Sequence, residues 1–216
     1  SDCAGVYLPN KFVYDRIPSG LTKTWSWSQH LDGRDIDYAQ LWVGGKSIDD
    51  ICPPELVVRW KAAQMLMKSH FKAFTTSCVN LGDICFYELV PEKHLQHYFD
   101  TKNEITEWVF NNIERPRNYS FIKETFGNLR QLATKQMNVN MVGLYSDAAE
   151  DAKAKSLYGQ LEGKPIHVDY DIFGTVTGRL TTKRGSFPML NLKKELKHHV
   201  KPTNDVFLEL DFNAAE

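Results

Sequence analysis

Two neighbouring stretches towards the end of the chain hold the residue types that do chemistry. Val206-Phe-Leu-Glu-Leu210 is a short apolar, β-prone run, expected to carry Asp211 at the tip of a strand, with Asn213-Ala-Ala-Glu216 opening a helix behind it. A carboxylate presented this way suits a hard divalent cation; it also suits a helix N-cap, and the two roles are compatible. Upstream lies Gly174-Thr-Val-Thr-Gly178-Arg179-Leu180-Thr181-Thr182, followed by a basic run to Lys201. Between Arg179 and Lys201 stand seven Lys or Arg against one acid, Glu195: a local +6 in a chain of net charge −1, so the rest sums to −7. Charge of that density attracts phosphate. Lys183, Arg184, Lys193, Lys194, Lys197 and Lys201 would hold phosphates by charge, and the hydroxyls of Thr181 and Thr182 by hydrogen bonds. Beside a duplex, Gly178 would let backbone approach closely, while the planar fork of Arg179 would reach minor-groove acceptors that every base pair presents alike. A solvated charged face, or an Arg179 paired with an acid, would leave the same sequence pattern.

Thr177-Gly178-Arg179-Leu180, with downstream Pro188 and Asn191 and the run into Asp211-Phe212-Asn213-Ala214-Ala215-Glu216, resembles the palm entry and motif A of family A DNA polymerases. Ser186-Phe-Pro-Met-Leu190 and the Lys193-Lys194 pair resemble a bacteriophage-type branch of that family. The resemblance is specific over about residues 171–216, weaker over 86–140 and nearly silent before that. It implies two magnesium ions that activate a primer 3′-hydroxyl and stabilise in-line phosphoryl transfer. Asp211 would be the first carboxylate ligand and the carbonyl of Phe212 a further one. Asn191 would take the place of the family's Gln-Asn pair, and Glu216 would pack under the sugar of the incoming deoxynucleoside triphosphate and exclude a 2′-hydroxyl. The second carboxylate and the fingers belong to later motifs, so the chain is expected to be an N-terminal part of a polymerase, inactive alone. Primer–template DNA and deoxynucleotides are the implied partners, with replisome proteins besides, in the cytoplasm of a phage-infected host. No carboxylate set for a 3′–5′ exonuclease is present, and Asp169 and Asp171 belong to the strand before the Gly-Arg loop. The other readings are a non-catalytic DNA-binding module and a replisome interaction module docking through the aromatic N-terminal residues.

The elements that must position these residues follow an α+β pattern. Hydrophobic residues at 42% and charged residues at 25% are globular values, and no apolar run approaches the ~20 residues of a membrane span. Cys3, Cys52, Cys78 and Cys85 form no Cys-x-x-Cys pair, and four reduced thiols are expected. Residues 1–52 read as a mixed strand and loop region, with a hairpin over Val6–Val13 and alternating runs around Trp25–Trp27 and Ile36–Val43, the second of which suits a helical turn equally. The tryptophans there are expected in a core rather than on bases. Residues 53–160 read as a helical, thumb-like region: one helix from Pro53-Pro54 to about Thr75, a second from Pro91 to about Ile113, a third from Tyr119 to about Met137. Met65, Met67 and Phe71 are expected to be core. His94 and His97 lack a third zinc ligand and are read as surface residues. Ser146 is placed as the cap of a short helix through Leu157, and Asp147, Glu150 and Asp151 as a solvated face. Residues 161–216 read as the start of a palm, with a strand over Pro165–Ile172.

Overall fold

The computed structural model describes residues 6–8, 11–13, 17–31, 33–81 and 84–208. The fold is α+β, mainly helical with short strands, and the chain forms two compact units, Ser1–Ser120 and Phe121–Glu216.

In the first unit, strands β1 (Val6–Leu8) and β2 (Lys11–Val13) form the expected antiparallel hairpin, with Tyr7 opposite Phe12. β3 (Lys23–Thr24) pairs in parallel with β4 (Asp37–Tyr38), which runs directly into the one-turn helix α1 (Ala39–Trp42). Helix α2 (Ile48–Ile51) starts on a capping box: Ser47 Oγ accepts from the Asp50 N–H while Asp50 takes the Ser47 N–H. Proline then sets the first turn of α3 (Pro54–Thr76). Beyond the short α4 (Phe86–Leu89) comes α5 (Glu92–Asn112). Arg59 bonds Glu104 at 2.7 Å, Trp60 lies against Tyr98 and His70 meets His94, so α3 and α5 run antiparallel.

Between α3 and α5, Trp60, Ile105 and Val109 pack with Trp25, Ala39, Val43 and Ile48. Trp25, Ala39, Val43 and Ile48, all before Pro53, thus share the helices' core. Trp25 and Trp42 belong to this packing, as expected of core tryptophans. The methionine stripe is different: Met67 is buried, but Met65 is 69% and Phe71 53% exposed. Met65 and Met67 stand about 200° apart on a helix, so one partner helix buries only one of them. His94 is half-buried, its Nδ1 2.8 Å from His70 Nε2, where a surface histidine was expected. Cys52 and Cys78 are free thiols, whereas Cys85 is disulfide-bonded, which corrects the expectation of four reduced cysteines. Spacing in sequence detects local pairs only, and a bridge between remote residues depends on the fold.

Tyr119 closes this unit. Its side chain is fully buried, its hydroxyl accepts the Tyr38 N–H at 2.8 Å, and its ring lies edge-on to Trp42 and beneath the Arg115 guanidinium. Burial pushes its phenol well above the usual range.

The second unit holds most of α6 (Tyr119–Thr134), then β5 (Asn138–Val139), α7 (Met141–Asp147), α8 (Ala152–Leu161), β6 (Tyr170–Asp171), β7 (Thr181–Thr182) and β8 (Val200–Lys201). Leu144, Ala154, Leu157 and Leu161 of α7 and α8 pack on Ile166, Phe187, Leu192 and Leu196. The cap of α8 is Asp151, whose carboxylate accepts from the N–H groups of Lys153 and Ala154. Ser146, expected in that role, lies inside α7 and bonds back to the Val142 carbonyl. β5 and β8 pair antiparallel, Val139 opposite Val200, and β6 and β7 pair antiparallel, Asp171 opposite Thr181. Of the strand expected over Pro165–Ile172, Tyr170–Asp171 is the paired part. Val206, Phe207 and Leu208 are exposed and form no strand, where the apolar, β-prone run over Val206–Leu210 predicted one; Glu209 and Leu210 lie outside the described residues. A strand needs a neighbour for its backbone groups, and an apolar, β-prone composition cannot supply it.

Candidate nucleic-acid interface

The Gly-Arg loop is the head of the β6–β7 hairpin, and its base is held by backbone, hydroxyl and charged contacts. The Asp169 carbonyl accepts from the Lys183 N–H at 2.8 Å and from Ser186 Oγ at 3.2 Å, and the Phe187 N–H reaches the His167 carbonyl at 2.9 Å. The Asp169 carboxylate is held by the Arg130 guanidinium of α6 and lies 3.3 Å from Lys183 Nζ. Arg130 in turn stacks on Phe126. A buried aromatic, Phe187, pins the returning strand into the core. Asp171 Oδ1 accepts the Phe173 N–H and turns the chain out of β6. Asp169 and Asp171, set aside as an exonuclease pair from sequence, are thus both engaged in building the hairpin.

At the head, the Thr175 hydroxyl donates to the Arg179 carbonyl at 2.9 Å, and the Gly178 N–H bonds the Thr175 carbonyl. Gly178 has φ +75°, a conformation that suits glycine. Gly174 meets a steric demand instead: a Cβ there would stand 1.7 Å from Thr181 Oγ1 and 2.8 Å from Thr181 Cβ. These contacts lay Thr177, Gly178 and Arg179 out to solvent. Thr181 is half-buried against Gly174, and Thr182 Oγ1 is buried without a hydrogen-bond partner. As folded, Thr182 does not present its hydroxyl to a phosphate.

The basic run divides in two. Arg184, Lys194, Lys197 and Lys201 are exposed, as is Asn191 at the end of a single 3₁₀ turn, Met189–Asn191. Lys183 and Lys193 are instead drawn to acids, Asp169 and Asp151, the latter at 2.9 Å. The Lys193 ammonium and the N-cap bonds hold the Asp151 carboxyl below its usual range. Phosphate contact by these two lysines competes with carboxylates already in place.

Asp211, Phe212 and Glu216 lie outside the described residues. Compared with protein-family models, curated proteins and solved structures, the chain matches none. No helix among the described residues is long and apolar enough to cross a membrane. One group of metal-type ligands occurs among the described residues: Asp147, His198 and His199. Its two imidazoles suit a zinc-class ion and not magnesium, which takes oxygen ligands. Sequence reading left Asp147 on a solvated face and did not weigh the histidines. His199 Nε2 lies 2.7 Å from Asp147 Oδ2 across 52 positions of chain, and no local spacing encodes such a contact. The adjacent pair His198-His199 was the available signal.

Proposed function

We propose that the chain is part of a DNA-directed DNA polymerase of family A type, and that its Phe121–Glu216 unit grips the primer–template near the 3′ end. The observation that supports this most is the exposed Thr177-Gly178-Arg179 turn on a hairpin braced at Asp169, in the register that leads to Asp211 and Glu216. A braced base and an exposed basic head are what sequence-independent contact needs: rigid support and charge at the tip, with no base-reading side chains. In this reading Arg179 probes the minor groove, and Arg184, Lys194, Lys197 and Lys201 neutralise backbone phosphates. Asp211 and the Phe212 carbonyl are the residues that would hold magnesium, which supplies charge neutralisation in phosphoryl transfer. Glu216 would fill the volume that a ribonucleotide 2′-hydroxyl needs.

The experiment is a salt titration of duplex binding by the 216-residue chain. About four neutralised phosphates predict a log–log slope near −3.6, with little dependence on DNA sequence. Lys197→Ala, which removes one of the four phosphate contacts, should lower the slope by about one contact. A flat titration, or binding confined to one DNA sequence, contradicts the reading.

A further inference from the structure

We propose that Asp147, His198 and His199 form a binding site for one divalent transition-metal ion of the zinc class. This rests on side-chain geometry and is independent of the polymerase reading.

The three residues come from two elements. Asp147 ends α7, and the histidines end the 3₁₀ segment Lys194–His199. One ligand atom from each lies within 4.8 Å of the others. Asp147 Oδ2 is 2.7 Å from His199 Nε2 and 3.9 Å from His198 Nε2. Ligands around a tetrahedral zinc stand ~3.3 Å apart, given metal–ligand bonds of about 2.0–2.1 Å. The two Asp147 distances bracket that value, and the imidazole nitrogens lie within 4.8 Å of one another, so closing on an ion needs shifts of up to about 1.5 Å. The side chains that must shift are Asp147 and His198, 42% and 61% exposed, whereas His199 is 3% exposed and fixed.

Outer contacts orient the ligands. His198 Nδ1 meets the Glu195 carbonyl, which can only accept, so that nitrogen carries the proton and Nε2 keeps its lone pair for a metal. His199 is held by β-pairing next to it, with Val200 opposite Val139, and its own carbonyl accepts the Asn140 N–H at 2.8 Å. Gly143 lets the ring lie on α7, since a Cβ there would come 3.1 Å from His199 Nδ1 and Cε1. Without a metal, His199 Nε2–H donates to Asp147. On binding, the proton of the neutral His199 ring moves from Nε2 to Nδ1, with no net release, and the Nε2 lone pair enters the metal bond. His199 Nδ1 is buried with no partner, and Lys197 and Lys201 sit on the same segment. Both features lower affinity, so micromolar binding is expected, with solvent completing the coordination. The ion would staple the basic segment to α7.

The test titrates the tag-free 216-residue chain with Co2+ near neutral pH, following visible ligand-field absorption, and displaces it with Zn2+. One equivalent should bind at micromolar concentration. His198→Gln and Asp147→Asn should each weaken binding by about tenfold or more. His198 is exposed, so its variant keeps the test valid if a change at buried His199 does not fold. His94→Gln, which breaks the His70–His94 pair in the other unit, should bind as wild type does. Absence of saturable binding at micromolar to submillimolar Co2+, unchanged binding by His198→Gln and Asp147→Asn, or loss in His94→Gln overturns the site.

Discussion

Replacing Asp169 by Asn tests what braces the hairpin. The amide keeps the shape and an acceptor for Arg130 but removes the charge that two cations share. The Arg130 side chain is 13% exposed and Asp169 26%, so the guanidinium is left nearly buried beside a neutral group. Breaking a buried pair costs about 3–5 kcal/mol; with a quarter of the aspartate in solvent, about 2–3 kcal/mol is expected. Lys183 is 39% exposed at 3.3 Å, so Lys183→Met should cost less than about 1 kcal/mol. All five tryptophans precede residue 121, which separates the two units by probe. Far-UV circular dichroism should show a urea transition of the second unit shifted down by about 1–2 M in Asp169→Asn. Tryptophan fluorescence should follow the first unit and move little. Equal costs for Lys183→Met and Asp169→Asn, or an unshifted second transition, would refute the assignment of the brace to Arg130 and Asp169.

Tyr119→Phe removes the acceptor of the buried Tyr38 N–H, and the fluorescence-detected transition should lose about 1–3 kcal/mol. Burial lowers the Lys102 ammonium below its usual range, so between that value and the ~10.4 of the unfolded chain the unfolded state binds more protons. First-unit stability should therefore rise with pH across that window, and Lys102→Met should raise stability at neutral pH and flatten the profile. Urea midpoints from neutral to pH ~10 check both. Gly174→Ala forces Thr181 from its place and should weaken duplex binding by the chain while leaving the fluorescence-detected transition unchanged.

The three long helices were legible because each carries a helical apolar period and two begin at proline. Short elements were less so. Asp151 rather than Ser146 caps α8, and both are good cap residues separated by a few positions, so the choice falls to tertiary packing of Leu157 and Leu161. Val206–Leu208 has strand composition without a strand, because β-propensity expresses fit to a neighbour. In the candidate interface, the exposed Gly-Arg turn could be anticipated from its glycines and threonines. The pairing of Lys183 with Asp169 and of Lys193 with Asp151 could not, since each joins residues whose proximity the chain path creates. The Asp147–His199 contact is hidden for the same reason.

Primer extension by the protein made from its complete reading frame, wild type beside Asp211→Asn, is the most direct test of the proposed polymerase function. With magnesium and a primer–template, the wild type should add deoxynucleotides in template order. Asp211→Asn should bind the duplex equally and incorporate almost nothing, because the amide has the shape of the ligand without its charge. Template-independent or absent extension by the wild type, or extension by Asp211→Asn at the wild-type rate, would contradict the assignment.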